Sequence, residues 1–275
     1  MNHHRCLWIF LLVFFVLCGC AQQNPPETTP TVTVDEHDYP DVLECAAAEG
    51  FVTAQSIAAN TPCPVRLTKY RDHDASPSDG ILYDLCIEID TGTTVLKKVL
   101  AAGVSFLQED SLFFGDVDGD QIQEIFIQEN TGGLGGFGLW QTWILKAEGS
   151  DIRVLFENFD GFDTGFCSRF LDGCQLDVTN RFTGYRLTFD AAPRYLEYIA
   201  GSQELPAGEI ELDPFYVFEP TDTDNDGISE VLCKQYTSIL FHNDYTGTAC
   251  SVLKFNGETQ AFDVVDAWYE PNTEE

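Results

Sequence analysis

The chain has 275 residues, with 45 acidic against 14 basic side chains and a formal net charge of −31. A polyanion of that size repels phosphate backbones and anionic lipid alike, which excludes nucleic acid as a partner and charge as the means of holding a membrane. Its 44% apolar content, with 21 Phe, 10 Tyr and four Trp, is enough for a sizeable core.

The N-terminus reads as an export signal. Arg5 precedes an apolar run from Leu7 to Leu17, too short to cross a hydrocarbon core of roughly 30 Å but suited to a signal peptide. The run ends in Leu17-Cys18-Gly19-Cys20, which resembles a bacterial lipobox. That resemblance implies cleavage after residue 19, lipid attached to Cys20, and a place on the outer side of a membrane. Residues 20–40 are poor in apolar side chains and rich in proline, as in Pro25-Pro26 and Pro30, and are predicted to form a tether.

Residues 41–275 are predicted to form a single β-rich domain. The alanine-rich stretch within 41–59 predicts a short helix. After it, Ile81–Asp90 and Thr94–Leu100 predict a hairpin whose second half is open to a helical reading. Further strands are predicted at Glu124–Gln128, Trp140–Lys146, Ile152–Phe156, Cys174–Val178, Tyr185–Phe189, Phe215–Phe218, Ser229–Tyr236, Cys250–Phe255 and Phe262–Tyr269. Short strands between Gly- and Asp-rich turns indicate an all-β sandwich, barrel or propeller.

Ten cysteines minus Cys6, Cys18 and Cys20 leave an odd seven, and export permits disulfides. Cys167 with Cys174 and Cys233 with Cys250 are the pairs the sequence allows; reduced, buried thiols are the equal alternative. His37, His73 and His242 are scattered and no Cys-x-x-Cys occurs, so zinc is not predicted.

One motif occurs twice. Asp116-Val-Asp118-Gly-Asp120-Gln-Ile122-Gln-Glu124 and Asp222-Thr-Asp224-Asn-Asp226-Gly-Ile228-Ser-Glu230 both place acids at positions 1, 3, 5 and 9 and run into an apolar strand. Alternate carboxylates on a tight loop converge, and the position-7 carbonyls of Ile122 and Ile228 are placed to join them. Calcium takes six to eight such oxygens, so both loops are expected to bind it. They are not EF-hands, because position 12 is Ile127 or Cys233 inside strand sequence rather than a glutamate.

The two loops, with their following strands, resemble the Asp-x-Asp-Gly-Asp-x-x-x-Asp loops of FG-GAP and VCBS repeats. The order of acidic loop, strand, glycine-rich loop and aromatic strand resembles VCBS-like bacterial lipoproteins. The likeness implies a propeller or partial propeller, a β-sandwich being the alternative, with calcium in a structural role. The two copies depart from each other: Gly119 stands where the second has Asn225, and Gln121 where the second has Gly227. Some 235 residues allow about five blades at 40–50 residues each.

Other candidates carry less. Thr131–Gly138 lacks the Gly-Lys-Ser/Thr ending of a phosphate loop, and Trp140 and Trp143 fit core packing better than a sugar-stacking surface. The chain has no Gly-x-Ser-x-Gly and no His-Glu-x-x-His, and acids are too abundant for a glycosidase pair to stand out. Catalysis is not predicted. The expected role is a lipid-anchored surface module binding a protein or glycan, with an envelope hydrolase or an accessory subunit as alternatives.

Overall fold

The computed structural model describes residues 40–52, 62–72, 82–104, 110–130, 140–158, 162–171, 174–191, 210–238 and 245–272, which belong to one unit beginning at Pro40. The signal peptide, Cys20, the tether before Pro40 and the glycine-rich stretch 131–138 lie outside these residues.

The domain is all-β, as expected. The first sheet holds β1 (Val42–Gly50), β2 (Cys63–Arg71), β3 (Tyr83–Asp90) and β4 (Val95–Val104). The second holds β5 (Asp110–Gly115), β6 (Glu124–Asn130), β7 (Trp140–Glu148) and β8 (Asp151–Asn158). The third holds β9 (Phe166–Leu171), β10 (Gln175–Asn180) and β11 (Arg186–Asp190), and the fourth β12 (Glu211–Thr221), β13 (Glu230–Ser238), β14 (Tyr245–Asn256) and β15 (Ala261–Pro271). Each is an antiparallel meander with sequential strands side by side, and no sheet closes on itself. Among the described residues there is no α-helix and so none able to cross a membrane.

The helix expected at 41–59 is corrected: Cys45–Glu49 lie in β1, paired with β2 through a bulge between Glu44 and Ala46. So short a segment ending in Gly50 is a marginal helix in water, and its side chains alternate in exposure as an edge strand requires. The hairpin of β3 and β4 resolves the open reading of Thr94–Leu100 in favour of strand.

The second sheet lies between two others. Ile125, Ile127, Trp143 and Leu145 share a core with Val65, Leu67, Leu85, Ile87 and Ile89 of the first sheet. From its other face, Phe126, Ile144 and Phe156 pack with Phe215, Phe218, Val231, Cys233, Leu253 and Phe262 of the fourth. A sheet buried on both faces needs apolar residues without alternation, which is why β6 and β7 read as continuous apolar runs. Trp143 is fully buried there, as its place in the strand suggested. The third sheet packs Leu176 and Val178 against Ala249 and Tyr269 of the fourth.

One contact recurs between successive sheets of this stack. A Cβ on Gly50, at the end of β1, would lie 2.6 Å from the Phe114 ring; one on Gly115, at the end of β5, would lie 2.4 Å from Pro220 Cβ. The next residues repeat a bond as well. Gln123 N–H donates to the Phe51 carbonyl at 2.8 Å, and Ser229 N–H donates to the Asp116 carbonyl at 2.6 Å. The first, second and fourth sheets are therefore related stepwise, and the third is not part of that series. Where the length allows about five blades, the described residues form three four-stranded sheets in series and one three-stranded sheet beside them.

Candidate functional site

Both acidic loops connect the first two strands of a four-stranded sheet: β5 to β6, and β12 to β13. Their internal bonding is alike at positions 5 and 9 and differs at position 1, where the first donor is the N–H of position 4 in one loop and of position 5 in the other. The position-1 acid takes two backbone N–H groups: Asp116 those of Gly119 (2.7 Å) and Gln121 (2.8 Å), Asp222 those of Asp226 and Gly227, both at 3.1 Å. The position-5 acid takes the N–H of position 7, Ile122 from Asp120 and Ile228 from Asp226, each at 2.8 Å. Ile122 and Ile228 are thus tied into their loops by their N–H groups. The position-9 glutamate takes the N–H of position 2: Val117 to Glu124 at 2.8 Å and Thr223 to Glu230 at 3.0 Å.

The two departures between the copies have one cause. Positions 4 and 6 are left-handed in both loops: Gly119 (φ 77°) and Gln121 (φ 69°) in the first, Asn225 (φ 61°) and Gly227 (φ 89°) in the second. Each copy spends one glycine on these two positions and forces another residue into the other. Asn tolerates this region better than Gln does.

Three of the four acids in each loop come together, those at positions 1, 3 and 9, and the position-5 acids Asp120 and Asp226 are not part of either cluster. One oxygen from each of Asp116, Asp118 and Glu124 lies within 4.8 Å of the others, and the same holds for Asp222, Asp224 and Glu230. The unexpected component is a lysine against the acids of each loop. Lys146 on β7 stands one register step beyond the Ile125–Leu145 pair and donates to Asp118, to Asp120 at 2.7 Å and towards Glu124 at 3.3 Å. Lys254 on β14, one step beyond the Val231–Leu253 pair, reaches Glu230 at 2.7 Å, Asp224 at 3.2 Å and Asp226 at 3.7 Å. The chain thus supplies an ammonium to positions 3, 5 and 9 of both loops.

The two centres differ in depth. The Lys146 side chain is 8% exposed and that of Lys254 is 37% exposed. Burial pushes the Glu124 carboxyl up to about 7, with Asp118 adding to the rise and the Val117 N–H and Lys146 opposing it. Desolvation also acts upward on Glu230, but Lys254 and Thr223 outweigh it and hold that carboxyl below its ordinary value. Both lysines are held more basic than usual by their carboxylates.

These observations decide how well calcium fits. At the first loop it would have to expel a buried ammonium that already takes an oxygen from three acids. Calcium would replace the charge the acids lose, but the displaced ammonium would be left buried without them. The first site does not fit the ion without that cost. At the second, the lysine is more exposed and its contacts are longer, so an ion at the Asp222, Asp224 and Glu230 cluster would displace it at less cost.

Sequence reasoning missed Lys146 and Lys254. The available signal was a single lysine in an otherwise apolar third strand, Ile144-Leu145-Lys146 and Val252-Leu253-Lys254, following each loop. The two loops also touch. Ile228 Cδ1 would lie 2.9 Å from a Cβ on Gly119, alongside the Ser229–Asp116 bond.

Cys167, Cys174, Cys233 and Cys250 are all free thiols, so neither disulfide the sequence allows is formed. Cys233 pairs in register with Ser251 and Cys250 with Lys234, so the two cysteines face opposite sides of the sheet. Burial pushes the Cys250 thiol up to about 12 and Cys233 well above its ordinary value, which makes both unreactive.

No family model and no solved structure matches the chain. The "Uncharacterized protein YybI" of Bacillus subtilis (strain 168) is 28% identical over 193 residues, covering 68% of this chain and 72% of that protein.

Proposed function

We propose that the chain is an exported, lipid-anchored binding module built on a partial propeller. Three four-stranded sheets act as blades and the three-stranded sheet is an insertion packed on the last of them. The export signal and Cys20 support the location. The repeated Gly50–Phe114 and Gly115–Pro220 contacts support the blade series.

The observation that carries the reading is the state of the acidic loops. Their carboxylates are occupied by backbone N–H groups and by Lys146 or Lys254, and they sit at the junction between sheets. Groups committed in this way stiffen a scaffold and leave the outer surfaces to meet a partner. Calcium belongs, in this reading, to the second loop alone. There, millimolar levels typical of the extracellular side suffice for a structural site.

Capture tests the reading. The lipid-free domain, immobilised through its N-terminus, is expected to retain fragments of the bacterial envelope, a protein or glycan, without altering them. Failure to retain any envelope component, or release of cleaved products, would contradict it.

A further inference from the structure

The third sheet turns one face to the core and carries on the other a pocket of about 300 Å³ lined by Cys167, Ser168, Arg169, Asp177, Thr179 and Arg186. Register places the central residues side by side: Asp177 pairs with Arg169 on one neighbour and Thr188 on the other, and Thr179 pairs with Arg186. Arg186 Nε and one terminal nitrogen donate to the two oxygens of Asp177 at 2.7 and 2.9 Å, Arg169 Nε donates at 3.0 Å and Thr188 Oγ1 at 3.1 Å. Asp177 is 2% exposed on what is otherwise the outer face, because the two guanidinium groups cover it.

We propose that this pocket is an oxyanion site that takes a phosphate group. A guanidinium offers five N–H donors in a planar fork; Arg186 spends two nitrogens and Arg169 one on Asp177, so most donors remain for a ligand. The arginine side chains are 67% and 57% exposed while the Asp177 side chain they cover is 1% exposed, so each guanidinium neutralises the acid on one edge and turns its other nitrogens to solvent. Two of the 14 basic residues in a chain of net charge −31 are thus gathered at one acid. Their local sum is +1. Asp177 holds both forks in place before a ligand arrives, which removes much of the ordering cost of binding. Two adjacent forks suit the several oxygens of a tetrahedral phosphate, whereas the two oxygens of a carboxylate are satisfied by one. Asp190, further along β11, is not among the residues that line the pocket.

The inference rests on the binding-module reading and names the group its ligand would carry. Nε–Hε signals of Arg169 and Arg186, followed by NMR in the whole folded domain at low salt, test it with inorganic phosphate as probe. Phosphate is expected to shift both signals saturably, with acetate at least tenfold weaker, and Arg169→Gln or Arg186→Gln is expected to weaken phosphate at least tenfold. Non-saturating shifts, acetate equal to phosphate, or unchanged phosphate affinity in the double variant would overturn it. Envelope capture separates the two ideas. Capture that persists undiminished in the double variant overturns this site and leaves the module reading standing. Saturable phosphate binding without any capture supports the site and overturns the module.

Discussion

Lys146 Nζ lies 3.3 Å from Glu124 Oε1 across β6 and β7, with Glu124 fully buried and the lysine nearly so. The equivalent Lys254–Glu230 pair, at 2.7 Å, stands at the rim of its loop. One motif therefore yields two centres of different depth, and the difference in burial sets how each responds to mutation, pH and calcium.

Lys146→Met leaves Glu124, Asp118 and Asp120 without their ammonium and is expected to destabilise the domain by about 3–5 kcal/mol, the scale for breaking a buried pair. Lys254→Met, in a solvent-screened setting, is expected to cost about 1 kcal/mol or less. Denaturant midpoints of the two variants check this, and equal losses would contradict it.

The glutamates are expected to titrate in opposite directions. Glu124, raised by burial to about 7 from an ordinary value of 4.5, binds its proton more tightly in the folded state. Its contribution to stability is fully present below about 4.5 and is lost as pH rises towards about 7. Glu230 is lowered, so its contribution is present above 4.5 and is lost as pH falls through its depressed value. Stability measured against pH should lose the first component in Glu124→Gln and the second in Glu230→Gln.

Gln121 occupies a left-handed position that Gly227 fills in the other loop. Gln121→Gly is expected to stabilise the domain by roughly 0.5–1 kcal/mol. Gly119→Ala is expected to destabilise it, since the new methyl would meet Ile228 Cδ1 at 2.9 Å. Melting curves of the two variants should therefore move in opposite directions.

Lys69 on β2 and Glu129 on β6 form a second buried pair, 3.2 Å apart and at most 1% exposed. Lys69→Met alone is expected to cost about 3–5 kcal/mol, and adding Glu129→Leu to recover most of it, because two apolar residues can replace a buried pair at little loss. A double-mutant cycle reads the coupling directly.

The strands that carry dense apolar runs, such as β6, β7 and β13, were legible because burial on one or both faces imprints itself on composition. Strands β1, β2, β5 and β9 were not. Alanines in β1 read as helix, and in β2 Arg66, Lys69 and Arg71 interrupt the apolar pattern, although Lys69 is buried against Glu129. The loops were visible as spacing, and three of the four acids in each come together. Their lysines stand out only as single cations ending an apolar run, and their pairing with the loops is set by register, which is not written in a local motif. The same holds for Asp177, whose arginines come from both neighbouring strands.

The most direct test of the account is the calcium dependence of the melting temperature of the lipid-free domain. Millimolar calcium is expected to raise it in the wild type and in Asp120→Ala, and to lose that effect in Asp226→Ala, because only the second loop has a displaceable lysine. No shift in the wild type, or a shift lost with Asp120→Ala but kept with Asp226→Ala, would contradict the account.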